Sequence, residues 1–499
     1  MAAQRESWSA RSGFILAAVG SAVGLGNIWR FPYAAYENGG GAFFVPYLIA
    51  LATAGFPLLF LDYVVGQKYR GAPPTAYGRM LKSAESVGWW QVAVCTVIGI
   101  YYASVLSWAG QYTIYATTQA WGSDTEAFFF SHYLQNVDIA EGLSFVPGLF
   151  TGLIIVWAIV LLIMYGGIQK GVELSNKICI PLLVLMFIVM VGKAVTLPGA
   201  SLGLQTFFAP NWSAMANPSV WLAAYGHVFF SMSIGFGIMV TYSSYLGKNA
   251  NLTGSGLTVG FANSSFELLA GIGIFSILGF MAVQSGLPVE EVVKGGIGLA
   301  FIAFPNIVST MGDTGTIIGV LFFASLFLAG LTSMASILQV PVSAVQDKLG
   351  WSKNKAVTIV GGSCAVVSTV MFSTTAAITF VDVIDNFTNN IGVVFGGLLS
   401  IIWVTWLNRQ IIPKLVNHIN AISSFKVGQG WVFMLTIVTP ISLLVALVLS
   451  MKGLLTEGYG GYSFMVQALF GWGVVAIFAL SALIFPKIKS HPSHYNHHQ

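Results

Sequence analysis

About twelve apolar runs, each of roughly 20 residues or longer, constrain this chain more than any other feature, because each is long enough to cross a bilayer. They fall near residues 12–37, 41–67, 88–120, 146–166, 171–194, 218–246, 253–284, 315–347, 356–374, 377–408, 430–451 and 464–486. Only 8% of the 499 residues are charged and 56% are hydrophobic. Soluble domains carry about 25% charged residues, so too little polar surface exists here to coat a water-borne globule. Hydrocarbon offers backbone groups no partners, so runs of this length must be helices. The expected class is an all-α polytopic membrane protein.

Charge placement supports the count. With the N-terminus inside, all the Lys and Arg except Arg30, Lys193, Lys294 and Lys452 fall on cytoplasmic segments and span ends. That asymmetry follows the positive-inside rule and predicts cytoplasmic termini in a cell inner (plasma) membrane. Cys95, Cys179 and Cys364 all lie within spans, which disfavours a disulfide framework or zinc site. No nucleophile–base set or metal cluster is evident, so an enzyme is not expected, nor a nucleic-acid binder. No Pro- or Ser-rich linker divides residues 1–499, which read as one domain.

Two spans are interrupted. The first carries Gly24-Leu25-Gly26 inside "SAVGLGNIWRFP", and the sixth carries Gly235-Phe236-Gly237 inside "YGHVFFSMSIGFGIMVTYSSY". Glycine loosens a helix and bares N–H and C=O groups that can bind ions. Close helix packing is the alternative use of such glycines. Two interruptions five spans apart point instead to a binding site between inverted repeats. The repeats are expected over 11–194 and 218–408, with two further helices in 430–486 and a disordered tail over 487–499. The segment from Gly286 to Asp313 is too broken to span and reads as an external loop with short helices.

The stretches "GSAVGLGNIWRFPYAAYENGGGAFFVPY", "IGIYYASVLSW", "GHVFFSMSIGFGIMVTYSSY", "FANSSFELLAG", "FLAGLTSMASILQ" and "VDVIDNFTNNIGVV" resemble the neurotransmitter:sodium symporter family, in its bacterial amino-acid branch. The likeness covers nearly the whole chain. It implies a LeuT-like fold of about twelve helices, a 5+5 inverted repeat with helices 1 and 6 broken. The resemblance implies two Na+ sites. The first would use Ala22, Asn27, Ser231 and Asn263 with the substrate carboxylate; the second would use Gly20, Val23, Ala329, Thr332 and Ser333. Hydroxyls that bond back to their own helix are the structural alternative for Thr332 and Ser333.

The substrate carboxylate would lie at the bare N-terminus near Leu25 and Gly26, which favours an anion, with Tyr102 donating to it. The amine would meet oxygens near Ala22, Phe230, Ser231 and Ser233. Gly24 stands where monoamine-carrying relatives have an aspartate, so the substrate should bring its own carboxylate. Ser21, Ile98, Tyr102, Phe230, Phe236, Met334 and Ile337 would line a mostly apolar side-chain pocket without charge. A charged side chain there would be left unpaired, so a small neutral amino acid is expected. Ordinary packing is the alternative for Phe230, Phe236 and Met334.

The resemblance pairs Arg30 with Asp385 as an outer gate, directly or through water, and Arg5 with Asp347 as an inner gate beside Trp8 and Tyr245. Gly171 and Pro181 mark a stretch of span five that can unwind. Glu267 stands where chloride-dependent relatives have serine; it would substitute for the anion, or else be a hydrogen-bonded structural carboxyl. His227 brings either pH sensitivity or a neutral imidazole. The expected function is sodium-coupled import of neutral amino acids by alternating access, independent of chloride. A symporter for another zwitterion (taurine, betaine, GABA) and a non-transporting amino-acid sensor are the alternatives.

Overall fold

The computed structural model describes residues 6–292 and 296–491. Two isolated bridges, Gly40–Pro210 and Phe145–Thr374, are the only β pairing among the described residues; all other regular structure is helical. Ten helices are long and apolar enough to cross a membrane, from Gly41–Tyr69 to Phe464–Lys487. The first expected span is a pair, Arg11–Ala22 and Leu25–Glu37, bent by 54°. The sixth is likewise split, into Pro218–Ser231 and Ile238–Ser243. These twelve are numbered here as spans 1 to 12 in chain order.

Local chemistry explains both breaks. At Val23 and Gly24 the backbone turns extended (ψ 92° and −167°), which ends the first half-helix. Asn27 then restarts it: its Oδ1 accepts from the Gly24 N–H at 2.8 Å, filling the role of an N-terminal cap. In span 6 the break holds three residues with left-handed backbone, Ser233 (φ 53°), Gly235 (φ 86°) and Gly237 (φ 90°). Glycine adopts that region without penalty, whereas Ser233 does so against steric cost. A Cβ on Gly237 would also sit 2.5 Å from Pro73, so only glycine fits there.

Packing centres these breaks in the protein. The first half of span 1 packs on spans 5, 7 and 8, and spans 3 and 8 run along one another. Burial reaches 83% of the most apolar window in span 3 (Lys82–Ala116) but only 28% in span 11 (Gln429–Thr456) and 22% in span 12 (Phe464–Lys487). The last two spans therefore sit at the rim, presenting apolar side chains outward, as lipid contact requires. Span 5 opens with a wide π-helical turn, Ile168–Glu173. Gly171 in that turn lies so close to Ile163 that an added Cβ would be 1.9 Å from its carbonyl oxygen.

The segment after Gly286 forms short helices, including Val289–Val292 and Phe304–Ser309, rather than a span. All three cysteines are buried and unpaired. The tail expected to be disordered from 487 is held at its start. Phe485–Lys487 is a helical turn, and the His491 N–H donates to the Lys348 carbonyl at 2.8 Å. Lys348 is itself fixed by a buried ion pair with Glu85 at 2.6 Å, which sequence patterning had not flagged. Residues 492–499 lie outside the described residues.

Candidate functional site

A cavity of about 450 Å³ lies between the two breaks. Of the thirteen residues expected around a substrate, eleven line it: Ser21, Ala22, Gly24, Leu25, Gly26, Ile98, Tyr102, Phe230, Ser233, Phe236 and Ile337. Ser231 and Met334 do not. Ser231 turns into a polar cluster beside the cavity. Met334 is fully buried in the packing of span 8, and its neighbour Ser333 takes the place on the wall. A helix presents adjacent residues about 100° apart, so a shift of one position moves a side chain from wall to core.

The two breaks are tied to one another and to span 8. Ser233 Oγ donates to the Ser21 carbonyl at 2.9 Å, and Ser333 Oγ donates to the Gly20 carbonyl at 3.2 Å. Thr332 Oγ1 bonds back to Ala329 at 3.0 Å. Gly20, Ala329, Thr332 and Ser333 are thus brought together, with Val23 ending the half-helix beside them. A Cβ on Gly24 would meet Ser333 Oγ at 3.0 Å and the Tyr102 hydroxyl at 3.4 Å. The phenol, the hydroxyl and the start of the Leu25–Glu37 helix therefore converge on one spot.

Beside the cavity, Asn27, Ser231 and Asn263 form one buried cluster. Asn27 Nδ2 donates to Asn263 Oδ1 at 2.9 Å, and Asn263 Nδ2 donates to Ser231 Oγ at 2.6 Å. Glu267, fully buried, is the hub behind them. Its Oε1 accepts from Ser231 Oγ at 2.5 Å and Asn27 Nδ2 at 3.1 Å, and lies 2.7 Å from His227 Nε2. Its Oε2 accepts from the Tyr47 hydroxyl at 2.5 Å. An isolated buried carboxylate is costly, and four polar partners offset that cost. The spacing of Asn263 and Glu267 on one helical face pointed to this pair; Tyr47, in span 2, gave no signal in the sequence.

The charged groups on the cavity wall are Arg30, Asp382 and Asp385, all towards one end. Arg30 is exposed, so this end reaches the surface; it is called the Arg30 face. Arg30 and Asp385 form no ion pair here. The guanidinium lies 5.0 Å from the centre of the Phe230 ring, and Asp385 Oδ1 accepts from Tyr101 at 2.7 Å and Asn389 at 2.8 Å. Trp29, Tyr101, Val105, Asn386, Asn389 and Tyr459 also line the cavity, beyond the sequence expectation.

The opposite end is closed. Trp8 is buried, with its indole N–H donating to the Tyr242 carbonyl at 2.8 Å and its ring edge-on to Tyr242 and Tyr245. Tyr245 shares hydrogen bonds with Ser343 (2.7 Å) and Gln339 (3.1 Å). Asp347 Oδ2 accepts from the Ala72 N–H at 2.7 Å. Its expected partner Arg5 lies outside the described residues.

The chain is similar in sequence to known sodium-dependent transporters. The chain is 39% identical to an uncharacterised sodium-dependent transporter of Methanocaldococcus jannaschii over 491 residues, 98% of either chain. It is 34% identical over 375 residues to the sodium- and chloride-dependent GABA transporter 2 of Mus musculus, covering 69% of this chain and 62% of that one. It is 32% identical over 380 residues to the sodium- and chloride-dependent taurine transporter of Rattus norvegicus, covering 69% and 61%. The crystal structure of MhsT in complex with L-phenylalanine matches with a TM-score of 0.74 and 30% identity, over 90% of this chain and 100% of that one. The profile of the sodium:neurotransmitter symporter family matches residues 5–129 and 116–491. With two broken helices around one cavity and a match over nearly its whole length, the chain belongs to the sodium:neurotransmitter symporter family of sodium-coupled membrane carriers.

Proposed function

We propose that this symporter imports neutral amino acids, coupled to two sodium ions and independent of chloride. The observation that carries the reading is the wall around Gly24. The start of the Leu25–Glu37 helix, the Tyr102 hydroxyl and Ser333 converge there, and no acidic side chain is at hand to pair with a substrate amine. Such a place suits a carboxylate. The remaining charges stand at the Arg30 face, so a charged substrate side chain deep in the cavity would be unpaired. The solved relative MhsT holds L-phenylalanine, which supports an amino acid, while the named mammalian relatives keep GABA and taurine as the second reading.

For the first sodium, Asn27, Ser231 and Asn263 already sit within hydrogen-bond distance, next to the Ala22 end of the half-helix. Turning the amide oxygens inward gives a hard-oxygen set suited to a small cation. For the second, the carbonyls of Gly20, Val23 and Ala329 and the hydroxyls of Thr332 and Ser333 offer the same chemistry. A substrate carboxylate at the first site would share the ion, so each ligand raises the other's affinity equally. Glu267 supplies the fixed negative charge that removes the need for a mobile anion.

Basic-residue placement supports the Trp8 face as cytoplasmic, and the Arg30 face as outside, in a plasma or inner membrane. Two inward charges at 100 mV would then supply about 4.6 kcal/mol, roughly a 10³-fold gradient. The reading is tested by uptake into proteoliposomes of each of the twenty amino acids, GABA and taurine, with sodium present and chloride replaced by gluconate. Sodium-driven accumulation of a neutral amino acid, undiminished by gluconate, is the expected result. Binding without accumulation would make the protein a sensor, and loss in gluconate would remove the role given to Glu267.

A further inference from the structure

Asp382 sits on span 10 one helical turn before the gate residue Asp385, and its two carboxylate oxygens are both occupied from a single loop. The Tyr459 hydroxyl donates to Oδ1 at 2.7 Å and the Tyr462 hydroxyl to Oδ2 at 2.9 Å. That loop joins spans 11 and 12, which lie outside the two five-helix repeats. Its shape is fixed. Gly458, Gly460 and Gly461 hold positive φ (71°, 58° and 70°), and Gln467, in the first turn of span 12, clamps it from both sides. The Tyr459 N–H donates to Gln467 Oε1 at 3.0 Å, and Gln467 Nε2 donates to the Tyr462 carbonyl at 2.7 Å. Tyr459 also forms part of the cavity wall, with Asp382, Asp385 and Arg30.

We propose that this loop is a gate element: the tyrosine clip ties the Arg30-face half of span 10 to span 12 and holds it in the gate-open position. Arg30 and Asp385 stand apart while the clip is made. On this proposal span 10 swings its carboxylates towards span 1 as the gate closes. Asp382 rides on the same helix face, and its two hydrogen bonds to a loop anchored at the rim oppose that swing. Closing the gate thus requires the clip to release or its loop to follow. The proposal rests on the alternating-access reading but not on the identity of the substrate.

The test is thiol accessibility in the full-length protein. Asn386→Cys places a reporter on the cavity wall, and the three native cysteines are buried. Its rate of labelling by a membrane-impermeant maleimide, in sodium without substrate, is compared with and without Tyr459→Phe and Tyr462→Phe. A hydrogen bond to a charged group is worth more than a neutral one, so loss of both should slow labelling by about five- to tenfold through a shift to the closed gate. Gln467→Ala, which frees the loop without touching Asp382, should slow it less, by roughly two- to threefold. Labelling that is unchanged or faster in both variants overturns the proposal. If the double variant does not reach the membrane, Asp382→Asn carries the same two outcomes. Sodium-dependent substrate binding, measured in parallel, separates this result from the substrate assignment: binding can fail to appear for every amino acid while labelling still reports the gate.

Discussion

The two ends of the central cavity are closed, or left open, by different chemistry. At the Trp8 face, an indole is buried against two tyrosines, and Trp8, Tyr242, Tyr245 and Gln339 are all hydrogen-bonded. At the Arg30 face, the opposing charges stand apart and the wall is made of carboxylates, amides and phenols. Dry packing gives a strong seal whose release exposes apolar surface. Charges across water give a weak one, around 0–1 kcal/mol, that makes and breaks readily. A carrier that must admit its ligand from one side before opening the other gains from that inequality: the seal that must not leak is the dry one.

The largest effect is expected at the dry seal. Trp8→Ala removes a buried indole, a change that costs about 3–5 kcal/mol in a packed core. The expected outcome is collapse of sodium-driven accumulation. Labelling of a Cys at Gln339 from the Trp8 face should rise at least 10²-fold. An intermediate effect is expected from Ser343→Ala, which takes a partner from Tyr245 and Gln339. At about 1–3 kcal/mol, the same labelling should rise roughly tenfold. The charged end should respond less. Asp385→Asn should shift gate closure only a few-fold, read as the labelling rate of Asn386→Cys with substrate bound. Raising salt from 0.1 M to 1 M should weaken closure in the wild type but not in Asp385→Asn, because the screening length falls from about 10 Å to 3 Å. The smallest effect is assigned to Met334→Leu. Because Met334 lies behind the wall, its substitution should change relative affinities among neutral amino acids by less than about threefold, whereas Ser333→Ala should weaken sodium-dependent binding by tenfold or more.

The twelve membrane segments, both breaks and most of the cavity wall could be read in the residues, because each leaves a local mark. Span length is written in uninterrupted apolar runs, and the breaks in paired glycines. What escaped reading depended on which way a helix is turned or on what meets it from far along the chain. Met334 and Ser333 are one position apart, and only packing decides which of them faces the cavity. Tyr47 reaches Glu267 across 220 residues of sequence, and Tyr459 reaches Asp382 from the rim helices. Ser233 is a different case: a serine with φ 53° carries no compositional sign of its strained backbone, yet its hydroxyl joins the two breaks.

On the proposed function, a cation and a zwitterion settle together on oxygens and amides at two interrupted helices. Equilibrium binding of a radiolabelled neutral amino acid to purified protein tests it most directly, with sodium titrated against choline at constant ionic strength. Affinity should rise with sodium to a plateau and vanish in choline, with Asn27→Ala and Thr332→Ala each moving the sodium midpoint upward by at least tenfold. Retention of the ligand at full affinity in choline alone would contradict joint binding of sodium and substrate.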